Sequence, residues 1–317
     1  MIAHLTRVFI LFQLLTLCFI AVVLRQLEVL DHWLMAFIAA ALILMTFRAS
    51  IIFNNFFLSR ALVQPCADGH RLPLPAMVRM MLQEFGCSML CWFRLFPFAR
   101  PYAHQAAADG SYPVLLLHGY GANSGFWERL HQRLSAASIS HCAIDLEPVL
   151  SSIDSYAEPI EFAARQLLAA SAASRLIVVC HSMGGLAARA WLRQHGHQHV
   201  ARVITLGTPH AGSLLAGYGI GVNAQQMLPV SAWITDERHW LSELAASEEA
   251  ADVASVRRLF VSLWTRYDNI VAPQSSAVLP GATNIAMEGV GHVALGFDAR
   301  VIDRVMTEIS EARRSTS

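Results

Sequence analysis

The run Leu176-Ile-Val-Val-Cys-His-Ser-Met-Gly-Gly185 carries residue types suited to acyl chemistry: an apolar, β-branched stretch stops abruptly at a serine set among small residues. A strand turning sharply into a helix would hold Ser182 in strained backbone geometry, with the small Cys180, Gly184 and Gly185 letting the chain pass close behind it. The Ser182 hydroxyl would then project clear of the sheet. The amide of Met183, at the helix start, would face a developing oxyanion together with the positive end of the helix dipole. A short pattern around a serine also arises by chance, so its surroundings decide its weight. Tyr112-Pro-Val-Leu-Leu-Leu-His-Gly-Tyr-Gly121 is a second short apolar strand running into a glycine-rich turn, as a second oxyanion donor requires. Arg202-Val-Ile-Thr-Leu-Gly-Thr-Pro-His-Ala-Gly-Ser213 repeats the design. Leu259-Phe-Val-Ser-Leu-Trp-Thr-Arg-Tyr-Asp268 ends a strand on an aspartate, and Asn284-Ile-Ala-Met-Glu-Gly-Val-Gly-His292 ends one on a histidine. The chain order is therefore Ser, Asp, His.

In that order the motifs His118-Gly119-Tyr120-Gly121, His181-Ser182-Met183-Gly184-Gly185, Gly207-Thr208-Pro209-His210, Tyr267-Asp268 and Gly291-His292 resemble those of the α/β-hydrolase superfamily, in its lipase and acyltransferase branch. The resemblance covers about Tyr112 to Met306. It implies that Ser182 is the nucleophile, Asp268 the acid and His292 the general base, with Tyr120 and Met183 supplying oxyanion-hole amides. One departure is Cys180, where the family usually has glycine; cysteine is small enough for the turn to form, and its thiol is read as structural. The chemistry explains the residue types. A serine hydroxyl is a poor nucleophile at neutral pH, so a histidine must take its proton during attack and return it to the leaving alkoxide. An aspartate fixes the imidazole tautomer and stabilises the imidazolium.

Alternatives stand beside each assignment. Asp268 also suits a turn cap before Asn269, and Asp236, Asp252 and Asp298 are rival acids, though none follows a convincing strand. Of the 14 histidines, only His292 sits on a glycine-flanked turn after the last strand. His118, His181 and His210 flank the motifs, where the resemblance implies packing or supporting roles. The cluster His195-Gly-His-Gln-His199 lacks a carboxylate or cysteine at ligand spacing and reads as a solvated helix end. No metal and no cofactor is implied.

The elements that must position these groups alternate strand with helix: helical patterns cover Gly125 to Ala137, Ser155 to Ala173, Met183 to His195 and Arg300 to Arg313. The expected fold class is α/β, an α/β-hydrolase fold whose mainly parallel sheet carries helices on both faces. Leu214 to Ala254 interrupts the rhythm and is expected to form a cap over Ser182, the plainer alternative being a packed helical insertion. Met227 and Trp233 in that cap, with Gly119, are the candidate substrate-binding residues. An apolar cap favours an acyl or lipid-like substrate.

The front of the chain is different. Apolar residues make up 55% of the chain and charged ones 15%, unlike an ordinary soluble domain. Val8 to Leu24 and Trp33 to Phe47, the latter extending to about Phe57, read as a transmembrane helical hairpin. A secretory signal peptide is the alternative for the first segment, but no small-x-small cleavage site follows Leu24 and a second apolar run comes at once. Arg7 precedes the hairpin, and Arg48, Arg60, Arg71 and Arg79 accompany or follow its second span. Its loop holds one arginine against Glu28 and Asp31, which places both ends in the cytoplasm. The expected localisation is thus the inner membrane of a bacterium, a source suggested by arginine without lysine and by abundant alanine. Six scattered cysteines without framework spacing suit a reducing compartment.

The expected organisation is a hairpin anchor over 1–60, an amphipathic helix and linker over 61–110, and a catalytic domain over 111–317 with the cap at about 214–254. Within the second segment, Leu74 to Phe98 has a broad apolar face that suits either the membrane interface or the hydrolase core. Near-zero net charge gives no electrostatic reason to expect nucleic acid. The expected partners are a bilayer and a lipid or acyl-ester substrate. The function read from these residues is a membrane-anchored serine hydrolase of carboxylic esters. An acyltransferase with a non-water acceptor and a non-catalytic membrane interaction module are the alternatives.

Overall fold

Apolar runs of four to seven residues, each closed by a turn, make the strands: β1 Tyr102–His104, β2 Val114–Leu117, β3 His141–Ile144, β4 Leu176–His181, β5 Val200–Leu206, β6 Phe260–Trp264 and β7 Thr283–Ala286, β1 alone being shorter. A computed structural model of the chain describes residues 1–61, 72–106, 111–246 and 259–314. The expected anchor boundary falls at the end of the second helix, at Ala61, whereas Arg71, the end of the linker at 107–110 and the end of the cap with Asp252 lie outside the described residues. The strands form one seven-stranded sheet in the order β1-β3-β2-β4-β5-β6-β7. All neighbours are parallel except β1, which pairs antiparallel with β3. Tyr102–His104 falls where a linker was expected; three residues are too few for an alternation to be legible, and pairing with β3 makes them a strand.

Side chains alternate across this sheet with the period of two that a strand imposes. Leu116, Ile177, Val179, Ile204 and Leu263 enter one core, with α4 (Glu128–Ala136) and α9 (Ala299–Arg314). Leu115, Leu117, Val178, Cys180 and Val203 enter the other, with α5 (Ala157–Ser171), α6 (Met183–His195) and α8 (Ala232–Ala246). The fold is thus an α/β layer structure with helices on both faces of a mainly parallel sheet. A short α7 (Val222–Gln226) precedes α8 in the cap.

Ahead of the sheet lie α1 (Ile2–Gln26) and α2 (Trp33–Ala61), both long and apolar enough to cross a membrane. They pack as an antiparallel pair through the fully buried Ala21, Ala36 and Ala40, small residues that let helix backbones approach. Their outer surfaces expose Leu11, Phe12, Leu15, Phe19, Leu42 and Phe47. The open end of the pair rests on the rest of the molecule. Ile2 enters the first core, Arg7 Nε donates to the Pro97 carbonyl at 2.8 Å, and Phe56 packs with Met80 and Tyr267. Between hairpin and sheet runs α3 (Leu74–Leu90), continued by a π-type turn at Cys91–Leu95 and a last turn at Phe96–Phe98. It settles on the core through the buried Met80 and Glu84, while Leu74, Val78 and Leu82 on its other side stay exposed.

Candidate active site

Parallel strands end at the same edge, so the carboxyl ends of β4, β5, β6 and β7 bring their loops together. At the end of β4, Ser182 has φ 52° and ψ −125°, a conformation that non-glycine residues rarely adopt and that persists only where the surroundings hold it. Here the Ser182 amide donates to the Leu206 carbonyl at 2.9 Å, and the Ser182 carbonyl accepts from Thr208 Oγ1 at 2.9 Å. Both partners belong to β5 and its turn, so the Gly207-Thr208-Pro209-His210 motif braces the elbow. Met183 opens α6, where the first amides of a helix have no intrahelical acceptor.

The candidate acid and base come from the next two loops. His292 Nδ1 lies 2.8 Å from Asp268 Oδ2, and the other carboxylate oxygen of Asp268 accepts the amides of Ile270 at 2.8 Å and Val271 at 2.7 Å. Asp268 therefore orders its own turn while orienting the ring. Its side chain is 1% exposed and that of His292 4%, so little solvent screens the pair. A Cβ placed on Gly207 would stand 3.2 Å from both Asp268 Oδ2 and His292 Nδ1, which sets the β5 turn directly against them. Burial opposes charge on His292, but Asp268, through its charge and its hydrogen bond, and then Glu84 outweigh it and hold the imidazole above its ordinary pKa. The rival acids lie elsewhere: Asp236 is exposed on α8, and Asp298 pairs with Arg300 at the start of α9.

The backbone of the His292 loop is also fixed. The His292 amide donates to Asn269 Oδ1 at 3.0 Å, and its carbonyl lies 3.1 Å from His181 Nε2, which must carry a proton to donate there. Burial keeps His181 neutral, and Phe126 stacks on its ring at 4.1 Å. His118 supports the facing turn. Its Nε2 accepts the Leu146 amide at 2.9 Å, so the proton sits on Nδ1, which donates to the Gly119 carbonyl at 2.9 Å. A Cβ on Gly119 would come within 2.9 Å of the Ser182 Cβ, so only glycine lets this turn lie against the elbow. Tyr120 follows directly. Its phenol donates to the Ile220 carbonyl at 2.7 Å and accepts the Ile220 amide at 2.9 Å, tying the expected oxyanion turn to the cap.

The cap has a second tie. Glu237 on α8 is fully buried and pairs with Arg193 at 2.9 Å and Arg189 at 3.5 Å, both on the helix that begins beside Ser182. Arg189 also donates to the His210 carbonyl at 2.9 Å. Met227 is buried at the end of α7. The Trp233 indole donates to Asp154 at 2.8 Å and its ring packs against the core on the α5 and α6 face, so this side chain fastens the cap to the body. Three buried polar residues, Glu84, Asn269 and Glu237, escaped the motif reading. Each acts on a backbone or charge distant in sequence, and the only local hint was Glu84 as a lone acid in an apolar helix.

A family model of the PGAP1-like alpha/beta domain matches residues 153–259, which include Ser182 and the whole of the expected cap at about 214–254 but neither Asp268 nor His292. A triacylglycerol lipase of Burkholderia plantarii is 30% identical over 162 residues, 45% of each chain. One of Pseudarthrobacter phenanthrenivorans is 30% identical over 115 residues, 34% of this chain and 36% of that one. The chain thus spans less than half the length of either relative. Among solved structures, Bacillus licheniformis lipase BlEst2 in mature form superposes with a TM-score of 0.55 at 17% identity, covering 66% of this chain and 98% of that one. Aspergillus fumigatus lipase B gives 0.52 at 16% identity, covering 66% and 56%. The chain has the α/β-hydrolase fold. The two relatives and the two superposed structures are lipases, and the family model is that of the PGAP1-like domain.

Proposed function

We propose that the chain is a membrane-anchored serine hydrolase that cleaves carboxylic esters through an acyl-enzyme. The observation that carries this reading is the buried Asp268–His292 hydrogen bond of 2.8 Å, set at the same sheet edge as a serine in strained geometry. His292 takes the Ser182 proton as its Oγ attacks the ester carbonyl, and Asp268 stabilises the resulting imidazolium. The amides of Met183 and Tyr120 receive the oxyanion. His292 then protonates the leaving alkoxide, and water, activated by the same ring, releases the acid. The apolar composition of the cap supports a preference for acyl chains, and the two triacylglycerol lipase relatives agree with an ester of that kind. The two apolar helices and the arginine distribution support a hairpin in the inner membrane with the hydrolase on the cytoplasmic side.

The test is fluorophosphonate labelling of the detergent-solubilised chain, followed by turnover of short- and long-chain p-nitrophenyl esters. Wild type should label and turn over, and Ser182→Ala and His292→Ala should do neither. A folded wild type that does not label overturns the reading. Labelling without hydrolysis transfers the acyl group to an acceptor other than water.

A further inference from the structure

We propose that Glu84, on the helix that follows the apolar hairpin, is a positioning residue for His292, so that the site is competent only when α3 is seated. The proposal rests on the reading of Ser182, Asp268 and His292 as the reacting and orienting groups. Glu84 is 1% exposed and lies 209 residues before its partner Val293. Its Oε1 accepts the Val293 amide at 2.9 Å and its Oε2 the Ala294 amide at 2.8 Å. These are the first two amides after His292. That histidine is itself the N-cap of the short 3-10 turn Val293–Gly296 and supplies no side-chain cap. The donors at the start of such a turn need an external acceptor, and α3 provides it.

The fit is close on both sides. A Cβ on Gly291 would stand 2.6 Å from Glu84 Oε2 and 2.7 Å from its Cδ, so a glycine before His292 is what allows the carboxylate in. Only a carboxylate offers an acceptor to each amide; a glutamine would turn an NH2 toward one of them. The charge matters as well as the shape. The groups that face His292 are Asp268, Glu84 and the neutral His181; burial raises the Glu84 carboxyl's pKa while the two amides and His292 pull it back, and in its ionised form it joins Asp268 in favouring the imidazolium formed during attack. The seat of α3 is shared with the anchor, because Met80, one turn from Glu84, packs with Phe56 of α2 and with Tyr267 beside Asp268. One apolar contact thus joins the hairpin, the carboxylate that caps the histidine turn and the loop that carries the acid.

The experiment uses the full chain in detergent micelles and compares wild type with Glu84→Gln, Glu84→Asp and Gly291→Ala. It reads kcat and KM on a p-nitrophenyl ester, the pH profile of kcat/KM and the thermal midpoint. Misplacing a base by a fraction of an ångström should lower kcat about 10- to 100-fold in Glu84→Gln. KM should change little when measured below the thermal midpoint, which the unsatisfied amide will lower by several degrees, and the acid limb should move to lower pH as one of the two carboxylates is lost. Gly291→Ala should lower kcat in the same way by displacing the carboxylate, and Glu84→Asp should recover part of the rate. If Glu84→Gln does not fold, Gly291→Ala and Glu84→Asp decide the matter. A folded Glu84→Gln with wild-type kcat and an unmoved acid limb overturns the proposal, as does a loss of activity that only follows a loss of stability. A wild type that neither labels nor turns over overturns the triad reading, and this proposal with it.

Discussion

At His292 two opposing effects meet, and their balance sets the pH at which the site works. Burial opposes the charged ring, yet Asp268 at 2.8 Å and Glu84 beyond it hold the pKa above the ordinary histidine value. As the proposed general base, His292 acts only when neutral, so kcat/KM should fall as pH drops through a midpoint above about 6.5, measured on a soluble ester. Stability runs in the opposite direction. The proton bound more tightly in the folded state contributes fully below the ordinary value and is lost as pH rises through the raised one. As pH rises from the ordinary histidine value through the raised one, the thermal midpoint should therefore lose this contribution while activity grows. Replacing Asp268 by asparagine leaves the ring without its anionic partner and should lower kcat by about 10⁴-fold, read by burst kinetics on the solubilised chain. Cys180 is the converse case. Burial in an apolar layer pushes its thiol pKa well up, so iodoacetamide should leave it unmodified in the folded protein.

Elements carry the next level of control, and the cap is held at two points with different physics. Glu237 is a buried carboxylate whose pKa burial raises, with Arg189 and Arg193 pulling it back. Glu237→Ala leaves Arg189, itself fully buried, without that carboxylate and should destabilise the chain by about 3–5 kcal/mol, visible as a lower denaturant midpoint. Tyr120 holds the other end through two neutral hydrogen bonds to Ile220. Tyr120→Phe removes both and should raise KM severalfold for long-chain esters with kcat little changed, because it loosens the cap without touching the base. Five of the seven strands were legible in sequence as runs ending in a turn, while β1 and β3, at three and four residues, left no such signal. The cap's fastening was not: Trp233 reads as an apolar pocket residue until its indole is seen on Asp154, 79 positions away.

On the scale of the whole molecule, the hairpin and the hydrolase make one packed unit rather than an anchor on a tether. Ile2 and Arg7 of α1 and Phe56 of α2 all contact the body, while the outer surfaces of both helices present leucine and phenylalanine to their surroundings. A chain held by two such helices should stay with membranes through alkaline carbonate washing and leave only with detergent. The arginine distribution argues that a fluorescent protein fused after Ser317 will fold in the bacterial cytoplasm, and that one inserted in the 27–32 turn will be dark.

The residues proposed to make and break bonds stand out in the chain alone, because strand, turn and candidate side chain lie within ten positions of one another at Ser182 and again at Asp268 and His292. Local patterns record local geometry. The sequence likewise announced two membrane-length helices, since length and hydropathy are sums over a segment. Tertiary structure alone decided what holds those residues in place: Glu84 under the His292 turn, Asn269 on its amide, His181 on its carbonyl and Glu237 beneath the cap. Apart from Asn269, each of these is a polar group satisfied by a partner more than 40 residues distant, and a buried polar group leaves no periodic trace in the chain that carries it.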